Sequence, residues 1–196
     1  MKALTSIILL GACMLTPASW ATCGSPIPNI QISKPDSRYN DHFDGTVTDL
    51  VTGLTWAKCS VGQTWVDNTP NDSSDDLCNG ASDAHTWKTA LDAAQNANTA
   101  GYLGQTDWRL PNVKELESLL ENACWHPSIN AGLFPSTPTD TPFWSSSPLI
   151  STGYDYEAWI VTYATNGQTY RASKSSDNYV RPVSYTHLTL PTIYSV

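Results

Sequence analysis

The amino-acid sequence predicts an α+β domain in which antiparallel strands flank two helices. Near the middle of the chain, apolar residues recur at helical spacing in two segments, each preceded by a residue that can cap a helix. Runs of β-favouring residues, separated by turns that contain Gly or Asn, stand before and after these segments. The 196 residues are 40% hydrophobic, with eight tryptophans and nine tyrosines, which is enough apolar material for one sizeable core. We therefore expect one domain, over residues 39–183.

Residues 1–21 have the organisation of a secretory signal peptide. The charge of Lys2 precedes an apolar run over residues 7–15, and the small residues Ser19 and Ala21 suit cleavage after Ala21. The run is shorter than the roughly 20 apolar residues of a transmembrane helix. One alternative is a bacterial lipobox, which would leave Cys13 lipidated and anchored to a membrane; another is a buried N-terminal strand. We expect an exported protein that is periplasmic, secreted or on the cell surface, and not transmembrane.

Residues 184–196 are expected to be foreign to the protein. The stretch from Val183 to Thr192 resembles an in-frame translation of a sequencing adapter. Residues 184–196 are therefore left out of the fold prediction, as an expression scar would be. The alternative is a genuine terminal strand, which the alternation of side chains would also fit.

The charge balance limits the partners. Eighteen acidic residues against ten basic ones give a net charge of -8. Such a chain repels nucleic acids and anionic membranes, and it argues against a broad basic patch for sulfated polysaccharides. The expected partners are extracellular glycans or proteins.

Four cysteines follow the predicted signal, an even number that indicates two disulfides in an exported chain. Three pairings are possible. Cys59 and Cys78 flank an acidic loop without apolar periodicity, which needs a staple, so we pair them and leave Cys23 with Cys124. A zinc site is the alternative, but the sequence lacks a close Cys-x-x-Cys pair.

The N-terminal part is read as an extended segment followed by a hairpin. Three prolines exclude a helix from residues 22–38, which either lie across the domain or extend from it. Residues 46–49 and 54–58 are β-favouring runs around a turn. Alternation places Trp56 in the core and Lys58 at its rim. Nearby carboxylates also suit calcium, although turn chemistry explains them more simply: Asp41, Asp44 and Asp49.

Two loops are candidates for ligand binding. The first, residues 59–85, is acidic and is either a solvated surface loop or a cation site. The second, residues 127–142, is rich in Pro, Ser and Thr. The candidate ligand-binding residues are the aromatics Trp65 and Trp125 and the carboxylates Asp72, Asp75 and Asp76. No cofactor is expected, with calcium as the alternative, and no metal ligands are assigned.

The first predicted helix begins after Thr86, which can cap it. Its apolar face consists of Trp87, Ala90, Leu91 and Ala94. The second begins after Asn112, which is followed three residues later by Glu115 in a capping-box-like arrangement. Its apolar stripe consists of Val113, Leu116, Leu119 and Leu120.

A Trp-Arg-Leu-Pro turn immediately precedes the second helix and is expected to be scaffold. Trp108 and Leu110 are assigned to the core, and Arg109 is assigned as a buried hydrogen-bonding tie. Pro111 then leads into the Asn112 cap.

The C-terminal part predicts antiparallel strands over residues 143–147, 157–163, 168–172 and 178–183. Asn166-Gly167 between two of these runs is a strong hairpin signal. Pro182 suggests an edge or an ending for the last strand.

Several motifs in register resemble the Lcl C-terminal domain family. They are Asp44-Gly45-Thr46-Val47-Thr48-Asp49 with Thr52-Gly53-Leu54-Thr55-Trp56, Asp107-Trp108-Arg109-Leu110-Pro111-Asn112 with Glu115-Leu116, Phe143-Trp144-Ser145-Ser146-Ser147, and Tyr179-Val180-Arg181. The resemblance covers residues 39–183 and implies a C-type-lectin-like fold in bacterial exported or surface proteins. It also implies kinship with a trimeric adhesin that recognises glycosaminoglycans.

This chain departs from the family in ways that limit what the resemblance implies. It has no Gly-x-y repeat, so trimerisation is not implied and the oligomeric state stays open. The calcium-and-sugar motifs of true C-type lectins are absent, as are counterparts of the catalytic cysteines of formylglycine-generating enzymes. Pro182 stands where family members often have a cysteine, which fits the pairing of Cys124 with Cys23.

We expect an exported or surface-exposed binding and adhesion module, with a carbohydrate as its possible ligand. One alternative is an exported enzyme of unknown reaction, for which the sequence offers scattered carboxylates and His42, His85 and His126. Cys124 near His126 resembles a nucleophile and base, but a disulfide explains that cysteine better. No catalytic residue is assigned. A structural role in the cell envelope is the remaining alternative.

Overall fold

A computed structural model describes residues 23–185 and has the predicted α+β architecture, with antiparallel sheets and two α-helices. The predicted signal peptide, Cys13 and residues 186–196 lie outside the described residues. The helices are α1 (Trp87–Thr99) and α2 (Val113–Ser118). The strands are β1 (Tyr39–Asp41), β2 (Thr46–Asp49), β3 (Leu54–Ala57), β4 (Thr64–Val66), β5 (Leu77–Asn79), β6 (Phe143–Pro148), β7 (Glu157–Thr162), β8 (Gln168–Ser173) and β9 (Val183–Tyr185).

The strands form three sheets whose neighbours are antiparallel. The first has the order β1-β2-β3-β9, the second pairs β4 with β5, and the third has the order β6-β7-β8. The predicted hairpin at Gly53 joins β2 to β3, and the predicted Asn166-Gly167 hairpin joins β7 to β8. The first sheet therefore combines strands from both ends of the described chain.

The last predicted strand differs from the observed one. Residues 178–182 do not form a continuous ladder, because successive residues pair with different elements: Asn178 bridges His85, and Tyr179 bridges Phe143. The regular strand β9 begins at Val183 and continues through Ser184 and Tyr185, which the sequence prediction excludes.

Both predicted helix starts are confirmed. Thr86 accepts a hydrogen bond from the Thr89 backbone N–H, and Asn112 and Glu115 form a complete capping box. Leu116 and Leu119 are buried as predicted. Leu91 is not: it is 37% exposed beside a surface cleft.

The core lies on both faces of the third sheet. Alternation along β6 and β7 places the Phe143–Val161 pair on one face and the Trp144–Ile160 pair on the other. Leu116 of α2 joins the first cluster, which also contains the predicted core residue Trp56. Ala90 of α1 and Leu110 join the second. The two helices thus sandwich this sheet, and burial of these apolar side chains is the main stabilising contribution.

The N-terminal segment lies across the domain. Pro26 bridges Cys124, whose disulfide with Cys23 joins positions separated by 101 residues. Farther along, the fully buried carboxylate of Glu121 accepts hydrogen bonds from the backbone N–H groups of Ser33 and Lys34. The segment is therefore part of the folded unit.

The acidic loop carries more structure than its composition predicts. Strands β4 and β5 form a short hairpin within it, with Trp65 paired to Cys78, and the predicted Cys59–Cys78 disulfide closes its base.

Among residues 23–185, no helix is long and apolar enough to cross a bilayer.

Candidate functional site

A cleft of about 460 Å³ lies beside the loop that joins β6 to β7. Residues 148–152 form one wall, and Asp155 and Lys174 contribute polar groups. Ile150 is 92% exposed, which is unusual for a large apolar side chain. The cleft is thus a surface where apolar groups stand next to charged ones.

Two exposed tyrosines follow the cleft on the same loop. The rings of Tyr154 and Tyr156 are 6.3 Å apart and tilted by 35°. Arg171 of β8 lies over the Tyr154 ring, with its guanidinium carbon 4.9 Å from the ring centroid, and pairs with Glu157. We call Ile150, Tyr154, Tyr156, Arg171 and Lys174 the tyrosine surface. It offers flat aromatic faces next to cationic donors, an arrangement suited to binding.

Backbone hydrogen bonds hold the loop of the tyrosine surface against the sheet. The N–H of Leu149 donates to the Glu157 carbonyl, and the N–H of Lys174 donates to the Tyr156 carbonyl, at 3.0 and 2.8 Å. Gly153 turns the chain at a φ of +82°, a conformation that glycine adopts without strain. The surface therefore stands on a supported loop at the sheet edge.

The predicted aromatic candidates do not meet. Trp65 is half-buried and packs against Gly45 and Lys58. Trp125 is 46% exposed, but it follows Cys124 in the chain, next to the other disulfide. Trp125 thus stays available to a ligand, whereas Trp65 mainly packs.

The predicted carboxylate candidates are engaged locally. Asp72 caps a short 3-10 turn, where hydrogen bonds from Ser74 lower its pKa. Asp75 accepts a hydrogen bond from Thr69. Asp76 is buried and pairs with Lys58 at 2.8 Å, so it is not on the surface. Lys58 is itself fully buried, not at the rim as predicted, because carboxylates meet its ammonium group inside.

The Trp-Arg-Leu-Pro turn has the predicted burial, with one correction. Trp108 and Leu110 are buried, as predicted, and the Pro111 carbonyl accepts a hydrogen bond from Ser146 of β6. The Arg109 side chain is 27% exposed and not buried, because its guanidinium lies at the edge of a cleft of about 360 Å³. It pairs with Glu115 through two hydrogen bonds.

Arg181, from the last of the family-like motifs, is the arginine that is buried. Its guanidinium donates to the carbonyls of Ala57 and Lys58 and to the Thr137 hydroxyl. Burial lowers the pKa of Arg181 to about 10, so it remains charged at neutral pH. The Tyr-Val-Arg motif thus joins β3 to the second candidate loop.

The histidines considered for an enzyme contact different parts of the domain. His42 bonds Thr48, and His126 bonds Thr139, while His85 lies in a backbone bridge to Asn178. Within residues 23–185, no group of three or more His, Cys, Asp or Glu side chains could hold a metal ion.

The carboxylates considered for calcium all bind groups of the protein itself. Asp41 pairs with Lys58, and Asp49 pairs with Arg38. Asp44 accepts from the Thr46 backbone N–H. Turn and ion-pair chemistry therefore accounts for these side chains.

Sequence reasoning did not identify Tyr154 and Tyr156. The available signal is the pair of tyrosines close to Gly153 in a polar segment, which predicts an exposed turn that carries two aromatic rings. Contact with Arg171 depends on the β7–β8 pairing, which the local sequence does not reveal.

Comparison with known protein families finds one match. The Lcl C-terminal domain model matches residues 45–184, which include every motif on which the resemblance was based except the first residue of the first motif. No curated protein matches the chain.

Proposed function

Because the chain belongs to the Lcl C-terminal domain family, we propose that it is an exported or surface-exposed binding module with a carbohydrate ligand. The observation that carries this proposal is the tyrosine surface: paired aromatic rings with a stacked arginine, on the same loop as an open cleft that Lys174 lines. The two disulfides support the export part, since they are typical of proteins that fold in an oxidising compartment.

The chemistry of the tyrosine surface fits sugars. The apolar face of a pyranose ring stacks on an aromatic ring, while its hydroxyl groups need fixed donors and acceptors. Tyr154 and Tyr156 supply the rings, at 40% and 54% exposure. Arg171 and Lys174 carry donors next to these rings; Arg171 also pairs with Glu157, and the Lys174 ammonium also donates to the Asp155 carbonyl. The carboxylates of Asp155 and Glu157 stand beside these two cations and balance their charge.

The fold part of the proposal is a C-type-lectin-like domain. Supporting observations are the α+β class, the two helices packed on antiparallel sheets, and the two disulfides around long connections. The tyrosine surface includes the loop between β6 and β7, and such loops often carry ligand-binding residues on a rigid scaffold.

A glycan array tests the function directly. The oxidised domain is expected to bind a subset of glycans, and replacement of both tyrosines, Tyr154→Ala with Tyr156→Ala, is expected to weaken that binding at least about tenfold. The matched control is Tyr170→Ala: this tyrosine is 41% exposed and stands next to Arg171 on β8, with its side chain on the opposite face.

The array also separates the alternatives. Absence of binding to every glycan would overturn the carbohydrate assignment, and a double variant that binds like the wild type would overturn the tyrosine surface. If Trp125→Ala alone abolished binding, the ligand site would lie near Trp125 and the loop of residues 127–142 instead. Arrays with and without calcium report whether a cation takes part.

A further inference from the structure

Lys58 lies in an enclosed group with two aspartates. Its Nζ atom is 2.6 Å from Asp41 Oδ2 and 2.8 Å from Asp76 Oδ2. The exposed fractions of these side chains are 0% for the lysine, 11% for Asp41 and 2% for Asp76. The rings of Phe43 and Trp65 lie over Nζ, at 6.0 and 5.8 Å to their centroids. An amine and two carboxyl groups therefore meet where little water reaches them.

This geometry points to an intramolecular isopeptide bond between Lys58 Nζ and the side-chain carbon of Asp41. A carboxylate oxygen 2.6 Å from Nζ places its carbon within about 3.5 Å, which is the contact distance of reacting atoms in a near-attack arrangement. Such fixed proximity corresponds to effective concentrations of roughly 10⁵ M or more.

Asp41 is the better electrophile because its second oxygen already has a donor. The backbone N–H of Phe43 donates to Asp41 Oδ1 at 2.9 Å. When the amine adds to the carboxyl carbon, negative charge develops on that oxygen, and a fixed N–H stabilises it. Phe43 holds this position at a φ of +54°, which is uncommon for a residue other than glycine.

Asp76 is suited to carry the proton. It contacts the same Nζ atom and is the more deeply buried carboxylate. In the reaction, Nζ loses two protons as the N–C bond forms: one passes directly to an Asp41 oxygen and the other passes through Asp76 to the same oxygen, whose bond to carbon then breaks. One water molecule leaves, and no oxidant, reductant or cofactor is needed. The product amide N–H is left beside the Asp76 carboxylate.

Mass spectrometry of the wild-type protein tests the bond. The intact oxidised protein is expected to be lighter by about 18 Da, the mass of one water, than its sequence with two disulfides. After reduction, trypsin normally separates residues 39–58 from residues 59–88, because Lys58 is the one basic residue between Arg38 and Lys88. An amidated Lys58 blocks this cleavage, so a single peptide of residues 39–88, lighter by the same mass, is expected.

Two control variants make the result decisive. Lys58→Arg keeps the positive charge but cannot form the amide, so it is expected to show the full mass and cleavage at that position. Asp76→Asn is expected to show the full mass, and a mass deficit in this variant would overturn the proton-carrying role. Full mass with normal cleavage in the wild type overturns the isopeptide bond and leaves a buried ion pair. Fragment ions that place the bond at Asp76 overturn the choice of Asp41.

Discussion

The guanidinium of Arg109 donates two hydrogen bonds to the carboxylate of Glu115, at 2.7 and 2.8 Å. The same carboxylate accepts from the Asn112 backbone N–H, so it joins the Trp-Arg-Leu-Pro turn to the start of α2. Paired charged hydrogen bonds of this kind are stronger than neutral ones.

Arg109→Ala is expected to destabilise the domain by about 1–2 kcal/mol, a fall of several degrees in Tm, because a half-buried pair is only partly screened by water. Thermal unfolding followed by circular dichroism measures the change. The control is Lys114→Ala, whose 83% exposed side chain pairs with Glu117 and whose loss is expected to cost less than about 0.5 kcal/mol. An unchanged Tm together with loss of ligand binding would make Arg109 a site residue instead.

The loss of unfolding free energy on removal of each disulfide is expected to be larger for the disulfide that closes the longer loop. Cys59→Ala with Cys78→Ala opens a loop with a separation of 19 residues and is expected to cost about 3 kcal/mol. Cys23→Ala with Cys124→Ala, at a separation of 101, is expected to cost about 4–5 kcal/mol. Urea unfolding of the two double variants gives both values. The reverse ranking would mean that the N-terminal segment contributes little to the folded unit.

Asp49 makes stability depend on pH in the acid range. Burial alone would raise the pKa of Asp49, but hydrogen bonds from Arg38, the Val51 backbone and Thr52 together hold it below its ordinary value. Because the folded pKa is the lower one, the stabilisation is complete above the unfolded pKa of about 3.9 and is lost as the pH falls through the folded value.

Asp49→Asn is therefore expected to cost about 2 kcal/mol at pH 7, where the charged hydrogen bonds are complete. The difference from the wild type is expected to shrink as the pH falls below about 4. Urea unfolding between pH 7 and pH 2.5 gives the comparison, with Asp92→Asn as the control because its pair with Lys88 is exposed. A difference that stays constant across this range would contradict the assignment.

Arg181→Lys is expected to be strongly destabilising, by at least about 2 kcal/mol. A lysine cannot reproduce the planar donors that reach two carbonyls and the Thr137 hydroxyl, and a buried carbonyl without a donor costs about 1–3 kcal/mol. The matched control is Arg171→Lys on the surface, where the side chain is 51% exposed. Equal stabilities of the two variants would contradict this interpretation of Arg181.

Structural features that depend on residues close together in the sequence could be predicted from it. The Asn112–Glu115 capping box, the Thr86 cap and the Gly53 hairpin follow from spacing alone and are confirmed. Both disulfides also match, because Cys59 and Cys78 border a loop in need of a staple.

What sequence could not predict depends on contacts between distant segments. Alternation put Lys58 at the rim of the core, but Lys58 is buried because its ammonium group meets Asp41 and Asp76, which come from other segments of the chain. Arg181 is buried because its guanidinium donates to the carbonyls of Ala57, the last residue of β3, and of Lys58. Nothing near Arg181 in the sequence indicates these acceptors. The tyrosine surface likewise needs Arg171 from another strand.

The place of β9 in the first sheet has a consequence for synthesis on the ribosome. The N–H of Val61 donates to the Val180 carbonyl, and that of Ala57 to the Pro182 carbonyl, so the inner edge of β3 is completed only by residues far along the chain. Until those residues have been made, β3 presents an open strand edge that can pair with other chains. Because these pairings join residues far apart in the sequence, folding of the domain is expected to be slow and to finish only after Val183 has been made.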